Sequence, residues 1–586
     1  MKQLLTGNEA IARGFYEAGG VVASAYPGTP STEILENISR YKEELYCEWA
    51  PNEKVAVETA IGASIAGGRS LAAMKHVGMN VAADPLFTFS YTGVNAGFVF
   101  VSADDPEMHS SQNEQDNRHY ARAAKLCMLE PSDSQEALDM VKLGYALSER
   151  FDVPVMLRTT TRINHSKSLV ETHARESVPL RPYVKDRSKY DTIPAISRAL
   201  HKKVEERQQR LAEYSSICPL NYVIDNHSRV GVVAAGAAFQ YAREVLGDTA
   251  SYFKVGMSYP LPLESIRRFA SGLDTLYVVE ELDPFMEDQL KAAGIPCIGK
   301  ERIPLRGELN PVIVRRALLG EEPQPVSPAL PSVKRAPALC AGCPHRGLFL
   351  ALSKYPDAIV SGDIGCYSLG GSAPYNSKDT SICMGASISV AHGMKKALEH
   401  YGADKKVVAV IGDSTFFHTG INSMEGAFYN HGTAFTVIVD NRITGMTGHQ
   451  QNPGTGYTLM GETTHEIDLE TLCRALGATE VRTVNPLNLA EVRAGVAWGF
   501  EHQGAVLITR YPCALKKYSP QDLAEFGPLG KCTVDETKCI GCRACVRTGC
   551  PALEYHADRK KVTISSTQCT GCGLCGQVCP VHAIGK

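Results

Sequence analysis

The stretch Val407–Gln450, VVAVIGDSTFFHTGINSMEGAFYNHGTAFTVIVDNRITGMTGHQ, decides the fold class of its part of the chain. An apolar strand, Val407–Ile411, runs into the polar turn Gly412-Asp413-Ser414 and gives way to a helix. A second apolar strand, Phe435–Val439, ends in Asp440-Asn441. This is the pattern of an open α/β sheet, and such sheets bind ligands where their strands end. Asp413 and Asn441 both offer oxygen there, the ligand type that Mg²⁺ demands. A helix starting just after Asp413 would aim free N–H groups at a phosphate. An ordinary βαβ unit with polar turn residues is the competing reading.

Working outward, 586 residues exceed what one core supports, so several domains are expected. Apolar residues make up 44% and charged residues 21%, as in a soluble globular protein. The net charge of −3 gives no case for nucleic acid or an anionic membrane as partner. No apolar run approaches the roughly 20 residues of a membrane helix. Met1-Lys2-Gln3-Leu4-Leu5 turns polar at once, unlike a signal peptide, so a cytoplasmic location is expected. Without export, 19 cysteines point to metal or cluster binding rather than to disulfides, and fifteen of them lie from Cys340 onward.

Residues 1–165 alternate strands with helices and gather polar groups at strand ends. A capping box, Thr6-x-x-Glu9, opens the first helix, and a strand at Val21–Ala25 leads into Tyr26-Pro27-Gly28-Thr29-Pro30-Ser31. Residues 166–219 are charged and weakly periodic, include a helix-like stretch at His201–Tyr214, and read as a solvated connector. Residues 220–320 form a further α/β unit without a catalytic constellation, and its working role is scaffold. Five prolines between Glu322 and Pro337 mark residues 321–337 as an extended linker to the unit at 338–530.

The tail, 531–586, holds Cys539-x2-Cys542-x2-Cys545-x4-Cys550-Pro551 and Cys569-x2-Cys572-x2-Cys575-x3-Cys579-Pro580. These are two copies of the bacterial ferredoxin run, in which the fourth cysteine of each ligates the other cluster. One 4Fe–4S cluster is therefore expected on Cys539, Cys542, Cys545 and Cys579, and a second on Cys569, Cys572, Cys575 and Cys550. Zinc is the rival for such tetrads. A scattered set, Cys340-x2-Cys343 with Cys366 and Cys513, could hold a further cluster, hold zinc, or be plain buried thiols. Cys383 competes for the fourth place.

Several segments together resemble the 2-oxoacid:ferredoxin oxidoreductase family, and within it most closely the alpha subunits that act on indolepyruvate. They are YPGTPSTE at Tyr26–Glu33, NEKVAVE at Asn52–Glu58, MKHVGMNVAADPL at Met74–Leu86 and SADDPEMHSSQNEQDNR at Ser102–Arg118. CAGCPHR, GDIGC, the stretch quoted above and the double ferredoxin run follow in that order, so the resemblance covers nearly the entire chain. It implies a multidomain α/β enzyme that uses thiamine diphosphate. Residues 1–165 are then similar to a pyrimidine-binding domain, 220–320 to a transketolase C-terminal domain and 338–530 to a diphosphate-binding domain.

The resemblance also implies roles. Asp413, Asn441 and the carbonyl of Ile443 match the Mg²⁺ ligands, and Ser414 stands where many thiamine enzymes have glycine. Glu53 matches the glutamate that activates the aminopyrimidine; without the match it is one of several carboxylates (Glu48, Glu53, Glu58) near a helix start. Thr29 matches a substrate-contacting threonine, and His76 and His109 are candidates to line the same site, with structural histidines as the alternative. Cys340, Cys343, Cys366 and Cys513 match the contexts of a proximal 4Fe–4S cluster, and Cys383 does not. The expected reaction is oxidative decarboxylation of an aryl 2-oxoacid such as indolepyruvate, with coenzyme A as acyl acceptor and ferredoxin as electron acceptor. Met446 stands where pyruvate-using relatives place asparagine, which favours a larger, aromatic substrate over pyruvate. A separate beta subunit and an alpha2beta2 assembly are expected. A ferredoxin oxidoreductase for phenylpyruvate, phenylglyoxylate or pyruvate, a non-oxidative thiamine decarboxylase, and an electron carrier on degenerate domains are the competing functions.

Overall fold

The computed structural model describes residues 1–322, 333 and 336–586, which divide into two units, Met1–Pro328 and Ala329–Lys586. The linker expected over 321–337 lies outside the described residues, apart from 321, 322, 333, 336 and 337.

The first unit is built on a seven-stranded sheet. Its spatial order is Met257–Tyr259, Cys127–Leu129, Val155–Thr160, Phe98–Asp104, Ser70–Lys75, Val22–Ala25 and Tyr46–Trp49. All neighbours run parallel except the edge strand Met257–Tyr259. Phe98–Asp104 is buried at every position, as a parallel strand covered on both faces must be. The Thr6–Glu9 capping box is present and opens helix Gly7–Glu17. A four-stranded sheet follows, ordered Thr275–Val279, Val230–Ala235, Ser251–Val255 and Tyr222–Ile224. Phe253, Val255 and Phe285 share one apolar core with Phe98 and Phe100, so the two sheets of this unit pack as one body.

The segment expected to be a solvated connector is largely tied down. Lys167–Glu171 pairs antiparallel with Lys2–Thr6 at the chain's start. Helix Pro194–Ser215 buries Leu200, Val204, Arg207, Leu211 and Ser215 on one stripe. The helix-like stretch His201–Tyr214 is thus helical and starts seven residues earlier, and its apolar stripe, narrow among Lys, Arg, Glu and Gln, packs rather than facing solvent.

The second unit holds a six-stranded, all-parallel sheet. Its order is Thr380–Ser381, Ile359–Gly362, Val407–Gly412, Phe435–Asp440, Val506–Arg510 and Val481–Val484. The helical run after Gly412 is Asp413–Thr415, a π turn at Phe416–Gly420, then Ile421–Tyr429. In the tail, Thr533–Val534 pairs with Ile584–Gly585 and Leu553–His556 with Lys561–Ile564, both antiparallel. Among the described residues no helix is long and apolar enough to cross a membrane.

Candidate active site and electron relay

In the first unit, the carboxyl edge of the large sheet collects the expected groups. Val22–Ala25 delivers Thr29, Tyr46–Trp49 delivers Glu53, Ser70–Lys75 delivers Lys75 and His76, and Phe98–Asp104 delivers the loop from Asp105 to Asn113. Glu53 is the first residue of helix Glu53–Ala66, whose N-cap Asn52 accepts the Val55 N–H, and is only 5% exposed. Room for its carboxyl comes from Gly78: a Cβ there would lie 2.6 Å from Glu53 Cγ and 2.7 Å from its Oε1.

Lys75 joins this edge with no motif of its own to mark it. Its Nζ donates to the Ser110 carbonyl at 2.6 Å, and its Cβ lies 3.2 Å from where a Cβ on Gly28 would stand. Burial brings its ammonium down to about 8, against the opposing pull of Asp105 and Glu53. Only its place directly before His76 in the quoted segment could have flagged it. His76 is fully buried, with Nε2 3.2 Å from the carbonyl and 3.1 Å from Oδ1 of Asn113, and burial lowers its affinity for a proton. His109 is turned elsewhere. Its Nε2 lies 3.2 Å from Glu308 Oε2, and Arg162 grips the same carboxylate at 2.7 and 2.9 Å.

In the second unit, four adjacent strands end in site residues. Ile359–Gly362 leads to Cys366, Val407–Gly412 to Asp413, Phe435–Asp440 to Asn441 and Val506–Arg510 to Cys513. The Asp413 carboxyl is buried, and burial together with the charge of Asp440 raises its proton affinity. Asn452 Nδ2 donates to Asp413 Oδ2 at 3.0 Å. Such a crowded, desolvated carboxyl suits a bound cation, and Asn441 and Ile443 supply further oxygen in the neighbouring loop. Thr444 Oγ1 donates to Ser414 Oγ at 2.8 Å and ties that loop to the start of the helical run. Met446, farther along the loop, is 54% exposed.

The redox residues interleave with these. A Cβ on Gly445 would lie 3.3 Å from Asn441 Nδ2 and 3.9 Å from Cys366 Sγ. Cys513 donates its N–H to the Asn441 carbonyl at 3.0 Å. Cys340, Cys343, Cys366 and Cys513 act on one another: burial and then neighbouring thiols push Cys343 to about 12 and Cys366 to about 11, and raise Cys513. Cys383 is exposed, and its thiol is raised by partial burial and then by Asp363, with no part played by this set.

The tail brings both expected tetrads together. Cys539, Cys542, Cys545 and Cys579 line one small cavity, walled by Val534, Val562 and Ile584. Four thiols around an apolar-walled cavity of this kind fit an iron–sulfur cluster. Burial, then Cys532, Cys572, Cys550 and Cys569, raises the Cys575 thiol. Cys532, which the motif spacing does not include, is buried and donates its N–H to Cys569 Sγ at 3.4 Å. All 19 cysteines are free of disulfides.

The family described as "Pyruvate flavodoxin/ferredoxin oxidoreductase, thiamine diP-bdg" matches residues 13–210, and "Thiamine pyrophosphate enzyme, C-terminal TPP binding domain" matches 363–509. A 4Fe-4S dicluster domain matches 538–583 and an indolepyruvate oxidoreductase domain matches 222–302. The chain is therefore a subunit of an oxidoreductase that uses thiamine diphosphate and iron–sulfur clusters. It is 41% identical to the indolepyruvate oxidoreductase subunit IorA of Archaeoglobus fulgidus, over 100% of this chain and 97% of the relative. The IorA subunits of Methanothermobacter thermautotrophicus and Pyrococcus horikoshii are 40% and 39% identical, each again over 100% of this chain and 97% of the relative. The chain belongs to the family of indolepyruvate oxidoreductase alpha subunits, IorA.

Proposed function

We propose that this alpha subunit oxidatively decarboxylates indolepyruvate with coenzyme A, giving the aryl-acetyl-CoA and CO₂, and passes the electrons to ferredoxin. The observation that carries this reading is the interleaving of Cys366, Asp413, Asn441 and Cys513 at the ends of four adjacent strands. An electron acceptor beside a metal–diphosphate site is what an oxidative decarboxylase needs and a non-oxidative one does not.

Asp413, Asn441 and the Ile443 carbonyl would hold Mg²⁺, with Ser414 at the start of the helical run toward the diphosphate. Glu53 would hold the aminopyrimidine end and keep its proton mobile. When bound, thiamine diphosphate supplies a carbon nucleophile and an electron sink for the carboxyl carbon. Thr29 and Lys75 would orient the substrate's carboxylate, Lys75 by its charge and Thr29 by its hydroxyl. Met446 would border the aryl group, as a pliable apolar side chain suited to a ring. His76 reads best as support for the Asn113 loop.

The electrons would leave through a proximal cluster on Cys340, Cys343, Cys366 and Cys513, then through the two tail clusters, with Cys383 outside all three. The domains would be 1–165, 220–320, 338–530 and 531–586, with 166–219 packed on the first. The subunit name of the IorA relatives supports a separate partner subunit. That partner would be a beta subunit in an alpha2beta2 assembly, and free cysteines throughout suit a reducing cytoplasm.

Iron, sulfide and thiamine content of anaerobically purified protein tests the reading. About twelve irons per chain are expected for three clusters, and zinc in their place would end it. Glu53→Gln should lower turnover by about 10²–10⁴-fold with iron content unchanged. A clear preference for pyruvate over indolepyruvate would overturn the substrate assignment.

A further inference from the structure

Five arginines among the described residues are buried, Arg118, Arg158, Arg207, Arg346 and Arg442, and of these Arg118 and Arg346 are 1% exposed. Arg118 contacts Asp116 and Glu280, and Arg158 contacts Asp104 and Glu130. Arg346 differs. It is 1% exposed and forms no ion pair among the described residues. Its Nη2 donates to the carbonyls of Leu339 at 2.9 Å and Cys340 at 2.8 Å. Its Nη1 donates to the carbonyl of Thr548 at 2.7 Å and to the Tyr375 hydroxyl. Its Nε is buried with no hydrogen-bond partner.

A guanidinium cannot shed its charge, so a buried one needs a counter-charge. Carbonyl and hydroxyl dipoles supply partial charge only. The anionic groups that could complete the balance are the cysteine sets on either side. Arg346 lies within the Cys340–Cys343 segment's own turn of chain and acts on the Cys343 thiol; from the tail it acts on Cys572. The two sets meet at this place. A Cβ on Gly342 would lie 1.8 Å from Thr570 Oγ1, between Cys569 and Cys572, and one on Gly549 would lie 2.9 Å from Pro374 Cδ.

We infer that Arg346 is the shared counter-ion of the proximal cluster and of the tail cluster on Cys550, Cys569, Cys572 and Cys575, a positioning residue that raises both reduction potentials. The inference rests on the three-cluster reading above. A thiolate-ligated 4Fe–4S cluster is a net anion that becomes more negative on reduction, so a fixed cation nearby favours the reduced form. The same fork clamps carbonyls of both cysteine segments and fixes their spacing.

EPR-monitored redox titration of the holoenzyme tests this with Arg346→Met and Arg346→Lys. Arg346→Met that keeps its iron should lower the potentials of these two clusters by at least about 59 mV, a tenfold change in a one-electron equilibrium. The cluster on Cys539, Cys542, Cys545 and Cys579 should shift less. Arg346→Lys keeps the charge but loses the fork, and should stay near the wild-type potentials. Unshifted potentials in iron-replete Arg346→Met, or an equal shift in Arg346→Lys, overturn the inference. If Arg346→Met loses iron, Arg346→Lys decides: full iron at wild-type potentials supports the counter-ion role, and loss of iron there too means that only the hydrogen-bonding fork matters. A wild-type protein lacking the proximal cluster would instead defeat the reading beneath it.

Discussion

The backbone N–H of Cys513 donates to the carbonyl of Asn441 at 3.0 Å. One residue is a proposed cluster ligand and the other a proposed Mg²⁺ ligand, so the two centres share a single backbone contact. Asn441→Ala should therefore do two things. Thiamine diphosphate affinity, measured by calorimetry in excess Mg²⁺, should fall at least about tenfold. The EPR signal of the proximal cluster should change while the tail signals stay as they are. An unaltered proximal signal would mean that the shared contact does not couple the centres.

Gly78 tests the placement of Glu53 without touching its acidity. The methyl group of Gly78→Ala would sit 2.7 Å from Glu53 Oε1, so the carboxyl must move. A displacement of about 1 Å in a catalytic group costs on the order of 10²-fold in rate, and kcat should drop by that amount with iron content intact. Wild-type turnover in this variant would remove Glu53 from the chemistry.

Lys75 sets a pH limit. Its ammonium is held down to about 8 by burial, so it is charged below that pH and neutral above it. The KM for an anionic 2-oxoacid should thus be flat below pH 8 and rise by about tenfold per pH unit above it. Lys75→Met should show a raised KM with this rise removed. The same rise in the variant would assign it to another group.

Cys340 and Cys383 separate the two possible ligand sets. Cys340→Ala should remove about four irons per chain, and Cys383→Ala none, because Cys383 is exposed and none of the other thiols acts on it. Iron assay of the purified variants reads the difference directly. The reverse pattern would redraw the proximal site.

Arg118 probes stability rather than chemistry. It joins Asp116 and Glu280 at 2.6 Å each, fully buried, across the two sheets of the first unit. Arg118→Met leaves two buried carboxylates without their cation, a loss of about 3–5 kcal/mol. Hydrogen exchange in strands Cys127–Leu129 and Thr275–Val279 of the whole chain should accelerate accordingly. Unchanged protection would show that protonation or water makes up the loss.

Much of this was legible in the chain itself. Apolar runs closed by Asp413 and Asn441 determine two strands and where they end, because a buried parallel strand admits few polar residues until it emerges. The tail tetrads follow from cysteine spacing, since a cubic cluster needs thiols at short, regular intervals along a tight loop. Thr6 and Glu9 likewise specify their capping box within four residues. Tertiary structure decided what depends on residues far apart. Cys366 and Cys513 come together only when parallel strands place their ends side by side, and Cys340 joins them from the turn before helix His345–Leu352. Gly78 makes space for Glu53, and Lys75 and Cys532 enter their sites, through packing that no local pattern announces. His109 goes to Glu308, 199 positions away, since a loop follows the best available partner and not the motif it belongs to. Arg346 is the clearest case. In the sequence it closes CAGCPHR, and only burial without a carboxylate shows that its charge must be balanced by something else.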